Sequence, residues 1–546
     1  MNRTALLAVV VCSLPIATFA QSVSAAQGTP TLLRQFRPIG GSRNNFQHPQ
    51  FNAIPGSPEL AIAPLDFAPG THNGLVSGPN PRTISNVISG GTGLNGVNAE
   101  TADPAASAWL YVFGQFLDHD LDLESTPTTN PAINIAIPPG DPVFTAGTSI
   151  AMNRDTRSSA TNTIVNTSAG YLDLSQLYGS DAQTAASLRN ADGTLKTSDR
   201  GQALPVVNGV FVTGDPRVME NPELSAVTIL FMREHNYWAR RLKASNPGWS
   251  GDQVYGMAKE ITTAEYQNII YKEFLPLLIG PKLGPYQGYN PNVNAQVTQE
   301  FSTAAFRLGH SEVSDTQTGL DNAGNVTFSE SLAQAFFNTA AIDEANGINP
   351  LLRGVTAESS QATDVYAVAT LRNLLFAPLV GGDVDQIDLI AIDIQRERDV
   401  GLATLNGTRR ALGLWPYTSF SQVTRDSVLA ADLQTVYGTV DNLDLFIGGL
   451  AENHASGARV GPTFQAIIAR QFQALRTGDR FFWMNEGFDN ATATMISNTR
   501  LSNLITRNTD STNVPQSVFV ISNPSPAVHV PMPAKIDTNG RAIVVN

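Results

Sequence analysis

The residues best equipped for chemistry lie in one short string, Gly114-Gln115-Phe116-Leu117-Asp118-His119-Asp120. On a helix Gln115, Asp118 and His119 stand at i, i+3 and i+4 and project from one face. Asp120 is turned away from His119 by about 100°. An amide, a carboxyl and an imidazole converging on a helix otherwise built from Trp109, Phe113, Phe116, Leu117 and Leu121 are costly unless a ligand meets them. A lone histidine would be read as part of a solvated helix end; the whole string argues for a site. An imidazole titrating near neutrality can take a proton from a reactant and return it to a departing atom. A second signal is Ala169-Gly170-Tyr171-Leu172-Asp173-Leu174-Ser175, where candidate ligands alternate as an extended loop around a hard cation requires.

The elements that must position these residues are mainly helices. Apolar residues recur at helical spacing from Ala105, over Pro222 to Leu242 and Ile261 to Leu278, and again around Phe301 to Leu308, Gln361 to Phe376, Asp388 to Leu402, Asp441 to Leu450 and Phe464 to Leu475. Strand signals are few and short, at Val206 to Val212 and Ser517 to Ile521. The expected fold is mainly α, a single large helical domain with few short strands. Residues 27–100, rich in Pro, Gly and Asn, read as an extended arm packed on a domain at 101–515, with a tail at 516–546.

The 546 residues are 42% apolar, enough for a substantial core, and only 15% charged, below the roughly 25% of ordinary domains. A net charge of -13 and a pI near 5.0 argue against nucleic-acid binding. Residues 1–26 read as a secretory signal: Arg3, then an apolar stretch from Ala5 to Ala20, then small residues. No later apolar run is long enough to span a bilayer. Cys12, the one cysteine, falls inside this signal, so the exported chain is expected to be free of disulfides.

Gly114 to Asp122 resembles the distal helix of the animal-type haem peroxidases, the peroxidase–cyclooxygenase superfamily. The resemblance makes His119 the distal acid–base histidine, Gln115 the distal glutamine, Asp118 a carboxylate that can form an ester to a haem methyl, and Asp120 a calcium ligand. Gly214-Asp215-Pro216-Arg217 followed by Glu220 resembles the segment with the distal arginine, Arg217, and the second ester carboxylate, Glu220. The next position, methionine in members with a sulfonium link to haem, is Asn221, so no such link is expected. Phe306-Arg307-Leu308-Gly309-His310 resembles the proximal segment, with His310 as axial iron ligand and Arg307 as a propionate contact. A histidine on an apolar face is otherwise most often packed core. Asp393-Ile394-Gln395-Arg396 resembles the segment bearing the proximal histidine's hydrogen-bond partner, Asp393, and another propionate arginine, Arg396. Asparagine is familiar where this chain has Asp393; a carboxylate there would give His310 imidazolate character and lower the iron's potential. The family's calcium site maps onto Asp120, Ala169, Tyr171, Asp173 and Ser175, with Ala169 replacing a threonine and keeping only its carbonyl. Arg82 to Asn86, Arg233 to Asn236, Gly461 to Phe464 and Gly478 to Phe481 extend the resemblance over about residues 35–490.

The resemblance implies a secreted peroxidase holding haem b or ester-linked haem and Ca2+. It would reduce hydrogen peroxide through a ferryl intermediate and oxidise phenols, iodide, thiocyanate and bromide ahead of chloride. Nucleic acid and a membrane span are not expected. Two other readings compete. A fatty-acid dioxygenase of the superfamily needs a radical tyrosine three residues before the proximal histidine, where this chain has Arg307. A silent haem-binding scaffold would not need Gln115, His119, Arg217 and His310 together.

Overall fold

The computed structural model describes residues 35–67, 78–91, 101–198, 203–338, 340–376 and 385–521. The expected signal at 1–26 and most of the expected tail lie outside them. The fold is helical, and its β structure among the described residues is six two-stranded ladders.

The first long helix, α1 (Trp109–Leu121), is apolar around most of its circumference and is buried accordingly. Its start lies later than the periodicity suggests. Ala102–Ser107 instead forms a strand paired antiparallel with Ser359–Gln361, so helix begins only at Trp109. Helix α2 (Pro222–Ser245) starts with Pro222 in its first turn and Asn221 as N-cap, the Asn221 side-chain oxygen accepting from the Leu224 amide at 2.8 Å. Helix α3 (Gly251–Ile269) opens ten residues before its apolar stripe is obvious. A capping box between Ser250 and Gln253 sets that start. The helix then passes through a π-helical turn at Ile270–Phe274 into Leu275–Ile279. Helices α4 (Leu389–Asp399) and α5 (Pro462–Thr477) match their apolar patterns.

Several expected elements differ: Asp441 to Leu450 is a 3-10 turn at Val440–Asn442 followed by a helix at Leu445–Ala451, and Val206 to Val212 is a hairpin of Val206–Val207 with Val210–Phe211. Gln361 to Phe376 is not one helix: a short helix at Ala369–Arg372 sits between the strands Ser359–Gln361 and Leu374–Phe376. Strand pairing and the bond from Thr363 to the buried Glu312 override its helical spacing. Ser517 to Ile521 makes only a single bridge, Val520 to Ala106. Phe301 to Leu308 is broken into Gln299–Ser302 and a 3-10 turn at Ala305–Leu308, which leads into the four-residue helix Gly309–Glu312. The described part of the N-terminal arm is extended with short 3-10 turns to residue 67, but Pro81–Ile84 and Ser85–Ser89 are helical.

Aromatic packing ties the helices together. Phe116 of α1 stacks on Phe231 of α2 at 4.9 Å and meets Tyr266 of α3 at 5.9 Å. Phe113 continues through Phe274 (5.6 Å) and Phe306 (6.3 Å) to Phe472 of α5 (5.9 Å). Each such pair adds about 0.5–1.5 kcal/mol beyond its buried area. The cluster thus runs from the helix of His119 to the segment of His310.

Buried ions fix the remaining geometry. Arg82, fully buried, pairs with Asp388 and Asp141 at 2.7 Å each and donates to the Arg372 carbonyl and the Asn373 side chain. Asp388 is also the N-cap of α4, accepting from the Ala391 amide. A residue from the N-terminal part of the chain therefore anchors the first turn of the helix that carries Asp393. Breaking such a buried pair typically costs about 3–5 kcal/mol.

Candidate active site

His119 lies in the last turn of α1, 5% exposed, with its Nε2 3.7 Å from Glu220 Oε2. Gln115, one turn earlier, is held at both ends: its amide nitrogen donates to Glu220 Oε2 (2.8 Å) and its oxygen accepts from Asn221 Nδ2 (2.9 Å). Asn221 thus caps α2 and fixes the orientation of Gln115, a double role not evident from its place in the sequence. Burial, and secondarily the charge of Arg217, lower the His119 pKa to about 3, so the imidazole is neutral at pH 7. Burial pushes the Glu220 carboxyl up to about 7 and the Asp118 carboxyl up to about 6. Asp118 stands within electrostatic reach of Arg217, Arg307 and His310, yet accepts no hydrogen bond within the described residues. The two expected ester carboxylates and both histidines therefore converge on one region.

Arg217 is clamped more firmly than its motif suggests. Its guanidinium forks onto Asp215 (2.7 and 3.1 Å) and donates to the Asp122 carbonyl at 2.6 Å. Asp215, two residues earlier, also caps the Pro216–Met219 turn. Asp215 holds Arg217's charge near His119, and Arg217's own bond to the Asp122 carbonyl ties it to the chain just beyond α1.

In the same region His310 Nδ1 lies 2.6 Å from Asp393 Oδ2. With that carboxylate as acceptor the proton belongs on Nδ1, leaving the Nε2 lone pair free for a metal. Nε2 meets no hydrogen-bonding group among the described residues, and the side chain is 28% exposed. Arg307 bridges Asp393 Oδ1 (3.0 Å) and Glu124 Oε1 (2.8 Å), while Arg396 pairs with Asp155 and the Asn153 carbonyl. These partners surround the two expected propionate arginines. Glu124 closes the string Asp118 to Glu124, but nothing in its spacing points to Arg307.

The expected calcium residues come together only in part. Asp120 Oδ2 accepts from the Asp173 and Leu174 amides, and Oδ1 accepts from the Ser175 amide and hydroxyl. Leu174, at φ 60, takes the left-handed conformation that lets three successive amides face one carboxylate. Burial and the neighbouring Asp173 charge push Asp120 up to about 8, and Asp173 Oδ1 is buried with no partner. The Ala169 and Tyr171 carbonyls accept from Tyr171 and Asp173 amides within the loop.

The depressed His119 pKa has a thermodynamic consequence. An unfolded imidazole takes up a proton near pH 6.5, whereas the folded one does so only near pH 3. The unfolded state therefore binds more protons between these values, and the His119 contribution to stability rises with pH across that window. Replacing His119 with Gln should flatten the pH dependence of chemical denaturation between about pH 3 and 6.5. An unchanged slope would show that burial does not hold the imidazole neutral.

The Animal haem peroxidase family profile matches residues 36–519. Lactoperoxidase of Mesocricetus auratus is 33% identical over a 565-residue alignment covering 90% of this chain and 78% of the relative. Peroxinectin A of Dictyostelium discoideum is 31% identical, covering 82% of this chain and 89% of the relative. Among solved structures, peroxidase A from Dictyostelium discoideum superposes with a TM-score of 0.79 at 28% identity, covering 89% of this chain and 99% of that one. A fatty acid alpha-dioxygenase from Arabidopsis thaliana shares the fold at 20% identity, with a TM-score of 0.75 and 92% and 88% of the two chains covered. The chain belongs to the animal haem peroxidase family and is an oxidoreductase of the peroxidase class.

Proposed function

We propose that this chain is an exported haem peroxidase that reduces hydrogen peroxide and oxidises phenols, iodide, thiocyanate and bromide ahead of chloride. The observation that carries this reading is the gathering of both histidines with the Asp118 and Glu220 carboxyls in one region. His119 is buried beside Glu220, and burial lowers its pKa, while His310 donates from Nδ1 to Asp393 and has no hydrogen-bond partner at Nε2 among the described residues. His310 Nε2 would ligate the iron, and Asp118 and Glu220 would supply the ester links, with Arg307 and Arg396 toward the propionates. Bound haem would supply a redox-active iron that accepts oxidising equivalents from peroxide.

His119 can accept the proton of an entering peroxide at Nε2 and deliver it to the departing oxygen. A base that is neutral at working pH is required for the first half of that transfer. Gln115, unable to turn between Asn221 and Glu220, fixes the polar wall beside it. Arg217 adds positive potential where negative charge develops as the O–O bond breaks. Asp393 directs electron density through His310, which favours oxidation of easily oxidised donors and places chloride last. No helix of the described residues is long and apolar enough to cross a membrane. Export rests on residues 1–26, which lie outside the described part. Arg307, engaged by Asp393 and Glu124, leaves no phenol at the position a dioxygenase would use for its radical.

We also assign calcium a structural role between α1 and the loop at 169–175. Two adjacent buried carboxylates, Asp120 and Asp173, and the unpartnered Asp173 Oδ1 support a cation held by these groups with the Ser175 hydroxyl and the Ala169 and Tyr171 carbonyls.

Haem-loaded His119→Ala should react with peroxide about 10²–10⁴-fold more slowly in stopped flow while binding haem normally. Native protein in the same assay should turn over bromide faster than chloride at neutral pH. A variant as fast as the native protein, or peroxide that only bleaches the haem, would contradict the assignment. Calcium at 100 times its Kd should stabilise the protein by about 2.7 kcal/mol. A chelator that leaves the thermal midpoint unchanged would remove calcium from the account.

A further inference from the structure

Arg307 spends three nitrogens on three different partners. Nε donates to the Ser302 carbonyl (3.0 Å), Nη1 to Asp393 Oδ1 (3.0 Å) and Nη2 to Glu124 Oε1 (2.8 Å). Asp393 passes the chain on to His310 Nδ1 at 2.6 Å. Glu124, just beyond α1, is therefore joined to the candidate axial ligand through two side chains.

The charges decide what this linkage does. Asp393 is fully buried, and the Arg307 and Glu124 side chains are 18% and 14% exposed, so their interactions are only partly screened. A guanidinium facing Asp393 alone would form a two-pronged pair and neutralise it. Asp393 would then be a weaker acceptor for the His310 proton. Here the guanidinium is divided. Its charge is shared between Glu124 and Asp393, both of which favour it.

We propose that Glu124 is a positioning residue for the axial ligand: by holding Nη2 of Arg307 it leaves Asp393 with the negative charge that draws on the His310 Nδ1 proton. This makes His310 a stronger iron ligand and lowers the potential of the iron it holds. The inference rests on the peroxidase reading above and concerns the part of the site facing away from peroxide.

Any acid near the iron lowers its potential through space, and Asp118, Asp122, Glu59 and Asp155 stand in the same region. A double-mutant cycle separates that field from the linkage. In haem-loaded protein, Glu124→Gln should raise the Fe(III)/Fe(II) midpoint potential and lower the iron–histidine stretching frequency in resonance Raman. Asp393→Asn should move both further in the same direction. Glu124→Gln added to Asp393→Asn should then give less than half of its shift in the native background. Glu124→Asp keeps the charge but draws it back from Nη2, so it should also shift both readouts, which a field effect alone would not produce. Equal shifts of Glu124→Gln in both backgrounds, or none, would overturn the proposal. Failure of the native protein to bind haem through a histidine would instead overturn the peroxidase reading on which it rests.

Discussion

The 2.6 Å hydrogen bond between His310 Nδ1 and Asp393 Oδ2 is the contact on which the geometry of the site depends. Gly309–Glu312 is a helix of four residues, too short to persist by itself. It is held by what its side chains reach. Asp393 can be that anchor because α4 is pinned at its first turn, where Asp388 both caps the helix and pairs with Arg82. The direction of the hydrogen bond then decides which imidazole nitrogen is left for a metal. The bond also explains why a residue as distant in sequence as Arg82 belongs to the support of the site.

The second constraint is the cost of burying charge. Glu59, Asp118, Asp120 and Glu220 all have carboxyls pushed up by burial. A folded protein accepts such groups only where guanidinium, backbone amides or a bound cation offset the loss of water. The compensation differs around the site. Arg217 is matched by Asp215, Arg307 by Asp393 and Glu124, and Asp120 by three loop amides and a hydroxyl. Asp118 accepts no hydrogen bond among the described residues, in keeping with a role toward a ligand.

The helices that carry the site were legible in the sequence where apolar periodicity was uninterrupted, as in α2, α4 and α5. They were not legible where tertiary pairing overrode it. Residues 361–376 have helical spacing, but Ser359–Gln361 is claimed by the strand Ala102–Ser107, which also delays the start of α1. The motifs around His119, Arg217, His310 and Asp393 point to candidate site residues through their resemblance to the family's segments. They do not mark the partners that orient them. Asn221 reads as a missing methionine yet caps α2 and holds Gln115. Asp215 reads as part of a motif yet clamps Arg217. Glu124 carries no spacing signal, since its partner Arg307 lies 183 residues away. Such pairings depend on the folded arrangement.

His310 Nε2, with no hydrogen-bond partner among the described residues, would ligate a bound haem iron. Low-temperature electron paramagnetic resonance of the ferric, haem-loaded protein and of its His310→Ala variant tests it most directly. The native protein should give a high-spin axial signal from one haem per chain, absent in the variant and restored when imidazole is added. The same signal from the variant without imidazole would place the iron on a ligand other than His310.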